Sequence, residues 1–277
     1  MTKSNLRHKI LVWPTGIVPI ALVTMLLLAA MASAEPVTVR YVAGMVHGFL
    51  VLRTQEGETL ATGDLVQTSR GDRITTKVVF HFKDGSIDDE TTIYSQRGVF
   101  RLIKDHHIQK GPSFPHPLDV SIDTSTRQVT VRSVNKDGKE DVATQRLDLP
   151  ADLSNGMVPT LLMNLPRDIS QAKFSLLVAT PKPRIVKLAI SHDGDDPIWI
   201  QGSRLEAKRY LVKVEIGGVS GVVAPLVGKQ PADTRVWILG GDAPVFLRSL
   251  GPTQQDGPIW STELTSPTWK SESNERH

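Results

Sequence analysis

The sequence predicts a mainly β protein: a large antiparallel meander forming a curved open sheet or half-barrel around one short apolar helix. Three observations carry this. Apolar and polar residues alternate with period two through many short runs. Turn-forming pairs separate those runs. One segment, near residue 160, changes to helical spacing.

Residues 1–34 read as an export signal. Lys3, Arg7 and Lys9 form a positive n-region, and an uncharged apolar run extends from Ile10 to Met31. Ala32-Ser33-Ala34 then supplies small residues before a cleavage point, followed by Glu35-Pro36. The rival reading is a membrane anchor, because about 20 apolar residues span a bilayer. Pro14, Pro19 and the A-x-A end favour cleavage. Membrane contact is therefore expected only through an uncleaved signal. The chain has no cysteine, which excludes a lipid-modified cysteine and any disulfide. An exported chain without disulfides fits a bacterial periplasm better than a eukaryotic secretory route. The expected location is periplasmic or secreted.

Charge excludes one function class. The export segment holds three basic and no acidic side chains, so the 32 Lys+Arg fall to 29, equal to the 29 Asp+Glu. A chain of zero net charge has no basic footprint for nucleic acid.

Residues 35–265 are read as the β-rich domain. The run "RITTKVVFHF" puts Ile74, Thr76, Val78, Phe80 and Phe82 on one face, with Lys77 and His81 on the other. "RQVTVRSV" and "YLVKVEI" alternate in the same way. Asp84-Gly85 suits a two-residue type I′ hairpin, because both positions need φ > 0. That turn pairs Phe82 with Ile87, His81 with Asp88 and Phe80 with Asp89. Turns are also expected at Asn135-Lys136-Asp137-Gly138, from Ser191 to Pro197, and at Gly240-Gly241-Asp242. In "NGMVPTLLMNLP", Val158, Leu161, Leu162 and Leu165 recur at helical spacing, with Pro159 tolerated in the first turn. Met157 and Met163 make the other side apolar, so this helix should be buried against the concave sheet face. A sub-boundary is read near 166–184, around Thr180-Pro181-Lys182-Pro183, leaving one sheet or two lobes open. Residues 266–277 read as a polar, disordered tail.

The stretch "DHHIQKGPSFPHP" holds three of the eight histidines. Its strand parity places His106 and Ile108 with Phe100 and Leu102, and His107 with Asp105 on the opposite face. Adjacent strand histidines cannot share a metal, and His116 lies beyond a Gly-Pro loop, so no metal site and no cofactor is expected. The hairpin register instead places Asp89 with Phe80 and Phe82, a costly position for a lone carboxylate unless His106 partners it. Asp89, His106, Phe80, Phe82, Leu161 and Leu162 are therefore the candidate ligand-binding residues, a polar spot in an apolar pocket. The carboxylates of "SHDGDDPIW" lack calcium-loop spacing, and Ser220 lacks a nucleophile elbow. Trp199, Trp237 and Trp260 are read as core.

"FKDGSIDDET", "IQKGPSFP", the "DLPADL" turn with its apolar helix, and "GKQPADTRVWI" resemble uncharacterised secreted β-rich proteins of Gram-negative bacteria. More distantly, the layout is similar to periplasmic lipoprotein-carrier folds. The resemblance implies an unclosed sheet around a helix, with a concave apolar face able to hold an acyl chain. It assigns no chemistry to any residue. The first functional reading is thus a non-catalytic periplasmic protein that carries a lipid or another hydrophobic small molecule. The second is an envelope structural or assembly factor that contacts envelope proteins through a sheet edge. A hydrolase using Asp89 and His106 ranks last.

Overall fold

The computed structural model describes residues 36–134, 139–166, 168–179, 183–200, 202–215, 231–254 and 256–266. The export segment, the turn at 135–138, Thr180 to Lys182, Gly217-Gly218 with Ser220, and the tail from 267 lie outside the described residues. No described helix is long and apolar enough to cross a membrane.

Among the described residues, fourteen strands form a single antiparallel sheet. The first half comprises β1 (Val46–Arg53), β2 (Thr59–Arg70), β3 (Arg73–Phe82), β4 (Ile87–Ser95), β5 (Arg101–Lys110), β6 (Leu118–Asp123), β7 (Gln128–Val134) and β8 (Glu140–Arg146). The second comprises β9 (Gln171–Val178), β10 (Arg184–Ile200), β11 (Ser203–Glu215), β12 (Thr234–Leu239), β13 (Val245–Pro252) and β14 (Ile259–Thr265). Each strand pairs with its chain neighbours, and β1 also pairs with β14. The break therefore falls between β8 and β9, and the sheet stays open. Around the expected sub-boundary, β9 and the start of β10 belong to this same sheet.

The crossover from β8 to β9 contains the expected helix, α1 (Val158–Met163), with Pro159 in its first turn. Leu161 and Leu162 are buried, as are Met157 and Leu165 beside them. One core cluster joins these residues to Ile74, Tyr94 and Ile122 from one half and Phe174, Leu188 and Val236 from the other. Side chains from both halves can share α1 only because the sheet curls around it. The helix carries no side-chain N-cap, so packing rather than capping holds it. Asn164 ties its far end to the chain start: the amide donates to Thr160 O, and Oδ1 accepts from the N–H groups of Arg40 and Tyr41.

The approach to α1 also covers the edge of β9. Ser154 N–H donates to Ser175 O at 2.9 Å, and Ser175 N–H donates to Asp152 O at 3.2 Å. Asn155 completes the strand-like pairing by accepting from Leu177 N–H and donating to Leu177 O. The buried carboxylate of Asp152 accepts from Ser175 Oγ at 2.8 Å and from Lys187 Nζ at 3.0 Å. Every one of these bonds ties the crossover to β9 or β10.

A second cluster of Leu50, Leu52, Ala61, Phe80, Phe82, Phe114 and Trp260 fills the other end. The stiff loop at 111–117 folds inward to supply Phe114, whose ring meets Phe82 and Trp260 edge-on at 5.2 and 6.2 Å. Gly111 makes this possible. Its φ is +109°, and a Cβ there would lie 2.6 Å from the Ser86 backbone.

Three expectations change. Ser191 to Pro197 is not a turn but part of β10, which pairs with β11 as far as Ile200. Its carboxylates serve the sheet surface: Arg209 binds Asp193 at 2.9 Å and Asp196 at 2.5 Å, and Trp237 Nε1 donates to Asp196. Alternation hid this because Gly194, at φ +126°, shifts the register there. Of the three tryptophans read as core, Trp260 is buried, Trp237 lies on that ion-paired surface and Trp199 is 65% exposed near the β10–β11 tip.

Leu162→Ala should cost about 2–5 kcal/mol, the usual range for a large-to-small change in a closed core. Urea unfolding would read it. A cost below ~1 kcal/mol would show that α1 does not hold the two halves together.

Candidate functional site: a buried polar row and an unpaired edge

The β3–β4 turn decides what enters the interior. Phe82 N–H donates to Ser86 O and Gly85 N–H to Phe82 O, with Gly85 at φ +85°. This is a three-residue turn ending in a left-handed glycine, not the two-residue type I′ turn that Asp-Gly suggests. The pairing moves by one residue, so His81 faces Ile87, Phe80 faces Asp88 and Val79 faces Asp89. A one-residue slip turns every side chain on β4 to the other face.

β5 repeats the effect. Its register against β4 shifts at Ile93/Tyr94, so Leu102 pairs with Tyr94 and Lys104 with Ile93, leaving Ile103 as the extra residue. Parity reverses beyond this bulge. Asp105, His107 and Gln109 turn inward where His106 and Ile108 are expected.

The sequence-predicted site residues therefore separate. Asp89 lies on the outer face, 3.2 Å from Lys77 Nζ. His106 is 45% exposed and pairs with Asp119 at 3.1 Å. Neither faces the interior, and they do not partner each other. His81 does not oppose Asp88, and His116 is exposed in the loop at 111–117. Phe80, Phe82, Leu161 and Leu162 are buried, the first two in one cluster and the last two in the other.

Between those clusters runs a polar row that sequence reasoning placed on the wrong side. β4 and β5 contribute it as three cross-strand pairs: Asp88 with Gln109, Glu90 with His107, and Thr92 with Asp105. Gln109 Nε2 lies 2.9 Å from Asp88 Oδ2 and also donates to Thr253 O. His107 Nε2 lies 2.7 Å from Asp88 Oδ1, and Nδ1 lies 3.8 Å from Glu90. Thr92 Oγ1 donates to Asp105 Oδ1 at 2.8 Å. Phe80 and Val78 on β3 and Val120 and Ile122 on β6 wall the row on either side. The backbone before α1 presses on it from above: a Cβ at Gly156 would lie 1.8 Å from Thr92 Oγ1. The signal for this row was present as alternation in "DDET" and "DHHIQ", but each run had the wrong phase.

Burial sets the protonation of these groups. Asp105, 2% exposed, has its pKa pushed up to about 7 by burial and by the Glu90 carboxylate, against the Thr92 hydrogen bond and the His107 charge. Burial also raises Glu90. At His107, burial favours the neutral ring, but the carboxylates of Glu90, Asp88 and Asp105 outweigh it and bring the pKa up to about 9. At neutral pH an imidazolium is thus clamped by Asp88. Its Nδ1 lies within ion-pair reach of Glu90, at 3.8 Å.

The gap beside α1, lined by Val37, Phe100, Leu153, Met157, Leu161 and Phe174, amounts to about 10 Å³. That is room for about one water molecule.

The outer rim differs at its two ends. The 152–155 segment covers β9, whereas among the described residues no strand or loop pairs with the free side of β8. β8 is mostly exposed, and Val142 is 52% exposed. In its uncharged centre, Val142 and Thr144 turn their N–H and C=O groups to this open side, where no described residue pairs with them.

No family model and no curated protein matches the sequence. The chain is similar to the crystal structure of a β-barrel-like protein of domain of unknown function DUF1849 from Brucella abortus. Identity is 8% and the TM-score 0.43, over 81% of this chain and 98% of that one.

The row makes stability pH-dependent. Asp105, with a folded pKa of about 7 against 3.8, costs nothing where it is protonated in both states and destabilises progressively as pH rises from about 4 to 7. His107 adds stability that is complete below pH 6.5 and lost as pH passes about 9. Asp105→Asn keeps the acceptor for Thr92 and removes the carboxylate. Unfolding free energies of variant and wild type should match near pH 4 and diverge in the variant's favour by up to ~4 kcal/mol at pH 8. Parallel curves would show that Asp105 ionises without cost.

Proposed function

We propose that the chain is an exported, non-catalytic envelope protein that works by protein–protein contact at its open sheet edge. The observation that carries this reading is the pair of unlike rims. One edge is partly covered by the chain's own crossover, at Ser175 and Leu177, and the other has its backbone groups unpaired among the described residues. An edge of this kind binds an extended segment by strand addition, with main-chain hydrogen bonds supplying affinity.

Support for export is the sequence of residues 1–34, and the expected site of action is the periplasm or the exterior. Carriage of a hydrophobic ligand has less support. Ligand pockets usually measure about 300–1,000 Å³, against about 10 Å³ beside α1. The apolar residues expected to line a pocket, Phe80, Phe82, Leu161 and Leu162, pack against protein.

A photoreactive side chain at Val142 tests the reading in living cells. It should yield one discrete cross-linked species, absent when the same group replaces the exposed Arg101 of β5. No cross-link from Val142 would sink edge-mediated contact. Stoichiometric lipid in extracts of the purified protein would restore the carrier reading.

A further inference from the structure

β8 carries its charges at its ends. Glu140 and Asp141 open the strand, Arg146 closes it, and the residues between are uncharged. Neither acidic side chain has an ion-pair partner among the described residues. Arg146 likewise lacks a carboxylate, and its Nε donates at 3.4 Å to the carbonyl of Thr126. Beside Arg146 lies a surface depression of about 420 Å³ lined by Arg127, Arg146, Leu147 and Asp148. Arg127 is 3.6 Å from Asp148, which is almost fully exposed.

We infer that the occupant of this edge is the β8 of a second copy, paired antiparallel about a two-fold axis through Ala143. This deepens the edge reading of the preceding subsection and rests on it. Charge selects both the partner and the register. With Ala143 opposite its own counterpart, Glu140 of each copy faces Arg146 of the other, and Asp141 faces Gln145. The acidic end of one strand falls on the side where Arg127 and Arg146 of the other line the depression. Val142 faces Thr144, placing an exposed apolar side chain against a β-branched one. A parallel arrangement in register would stack Glu140 on Glu140 and Arg146 on Arg146, which like-charge repulsion opposes.

Symmetry limits the assembly. Such an interface is isologous, with the same strand used by both copies, so it closes at two. On the opposite rim, residues 152–155 already pair with Ser175 and Leu177 of β9. The dimer would thus join two fourteen-stranded sheets into one continuous sheet without exposing a new edge.

The chain has no cysteine, so an introduced thiol has no competing partner. The test uses the protein as the cell processes it, in three arms. Sedimentation equilibrium should show a reversible monomer–dimer system. Glu140→Arg and Arg146→Glu should each weaken dimerisation about tenfold or more, and the double variant should recover it, because reversing both charges restores both ion pairs. Ala143→Cys should oxidise to an intermolecular disulfide, since paired strands bring Cα atoms to about 4.5–5.5 Å, within disulfide range. Arg101→Cys should stay reduced.

A monomer at every concentration with Ala143→Cys unlinked would overturn the inference. So would a dimer indifferent to both charge reversals. The edge reading fails separately: a monomeric chain whose Val142 photoprobe still captures a different protein loses self-pairing and keeps the open edge, whereas no capture of any kind loses both.

Discussion

A sheet strand left at an edge carries a row of hydrogen-bonding groups that must be paired, covered or offered to something else. Most of this molecule follows from how one chain meets that demand at two edges. Because β1 pairs with β14, the described strand order puts neither of those strands at an edge. The exposed edges fall instead in mid-sequence, at β8 and β9. The chain must cross from one to the other in residues 147–170, and the crossover covers β9 on its way. The same segment delivers α1 to the interior, so edge protection and core filling come from one stretch of sequence. Asp152, Ser154 and Asn155 are polar because they stand in for a missing strand, and Leu161 and Leu162 are apolar because they stand in for a missing wall.

The interior is not uniformly apolar, and the exception has a structural logic. Three carboxylates and an imidazole lie between two hydrophobic clusters, at a position where isolated charges would be very costly. The cost is offset because each group faces another across the β4–β5 ladder. Asp88 takes both His107 and Gln109, and Asp105 takes Thr92. These pairs exist in one register only. Sliding β4 by one residue would turn Asp88 and Glu90 out and bring Asp89 and Thr91 in, leaving His107 without its clamp. The row therefore pins the alignment of the strands whose turn and bulge create it.

Architecture was legible in the sequence because it rests on period and composition, which act over whole segments. The alternation in β3, β7 and β11 is long enough to survive local error, and the apolar spacing from Met157 to Leu165 has no strand-like interpretation. The row was not legible because its phase depends on single residues. Whether Asp84-Gly85 makes a two-residue or a three-residue turn is settled by tertiary contacts. Ser113 N–H binds Ser86 Oγ, and Ser113 Oγ binds Asp84, both from a loop 27 and 29 residues away. The extra residue at Ile103 leaves no mark on an apolar–polar pattern that already reads as a strand. Two half-period errors in adjacent strands moved the polar site from Asp88 and His107 to their neighbours Asp89 and His106. A carboxylate–histidine pair does form, one residue away on each strand, between Asp88 and His107. At Gly194 the same kind of shift made a surface ion-pair cluster look like a turn.

Filling the interior has a consequence for where specificity can reside. α1, Phe114 and the polar row occupy the space that an open sheet would otherwise present to a small molecule, and each is fixed by contacts from both halves. The proposed contact accordingly lies on the exterior. There the surface around Arg209 is already neutralised, since Asp193 and Asp196 take its guanidinium and Trp237 takes the second carboxylate. β8 has no such satisfaction. Its end charges lack ion-pair partners and its central backbone lacks a neighbour among the described residues. Charges at the ends of an edge strand discourage indiscriminate stacking and still permit one antiparallel alignment. An edge so arranged would restrict a partner by register as well as by hydrogen bonding, as the proposed strand pairing requires.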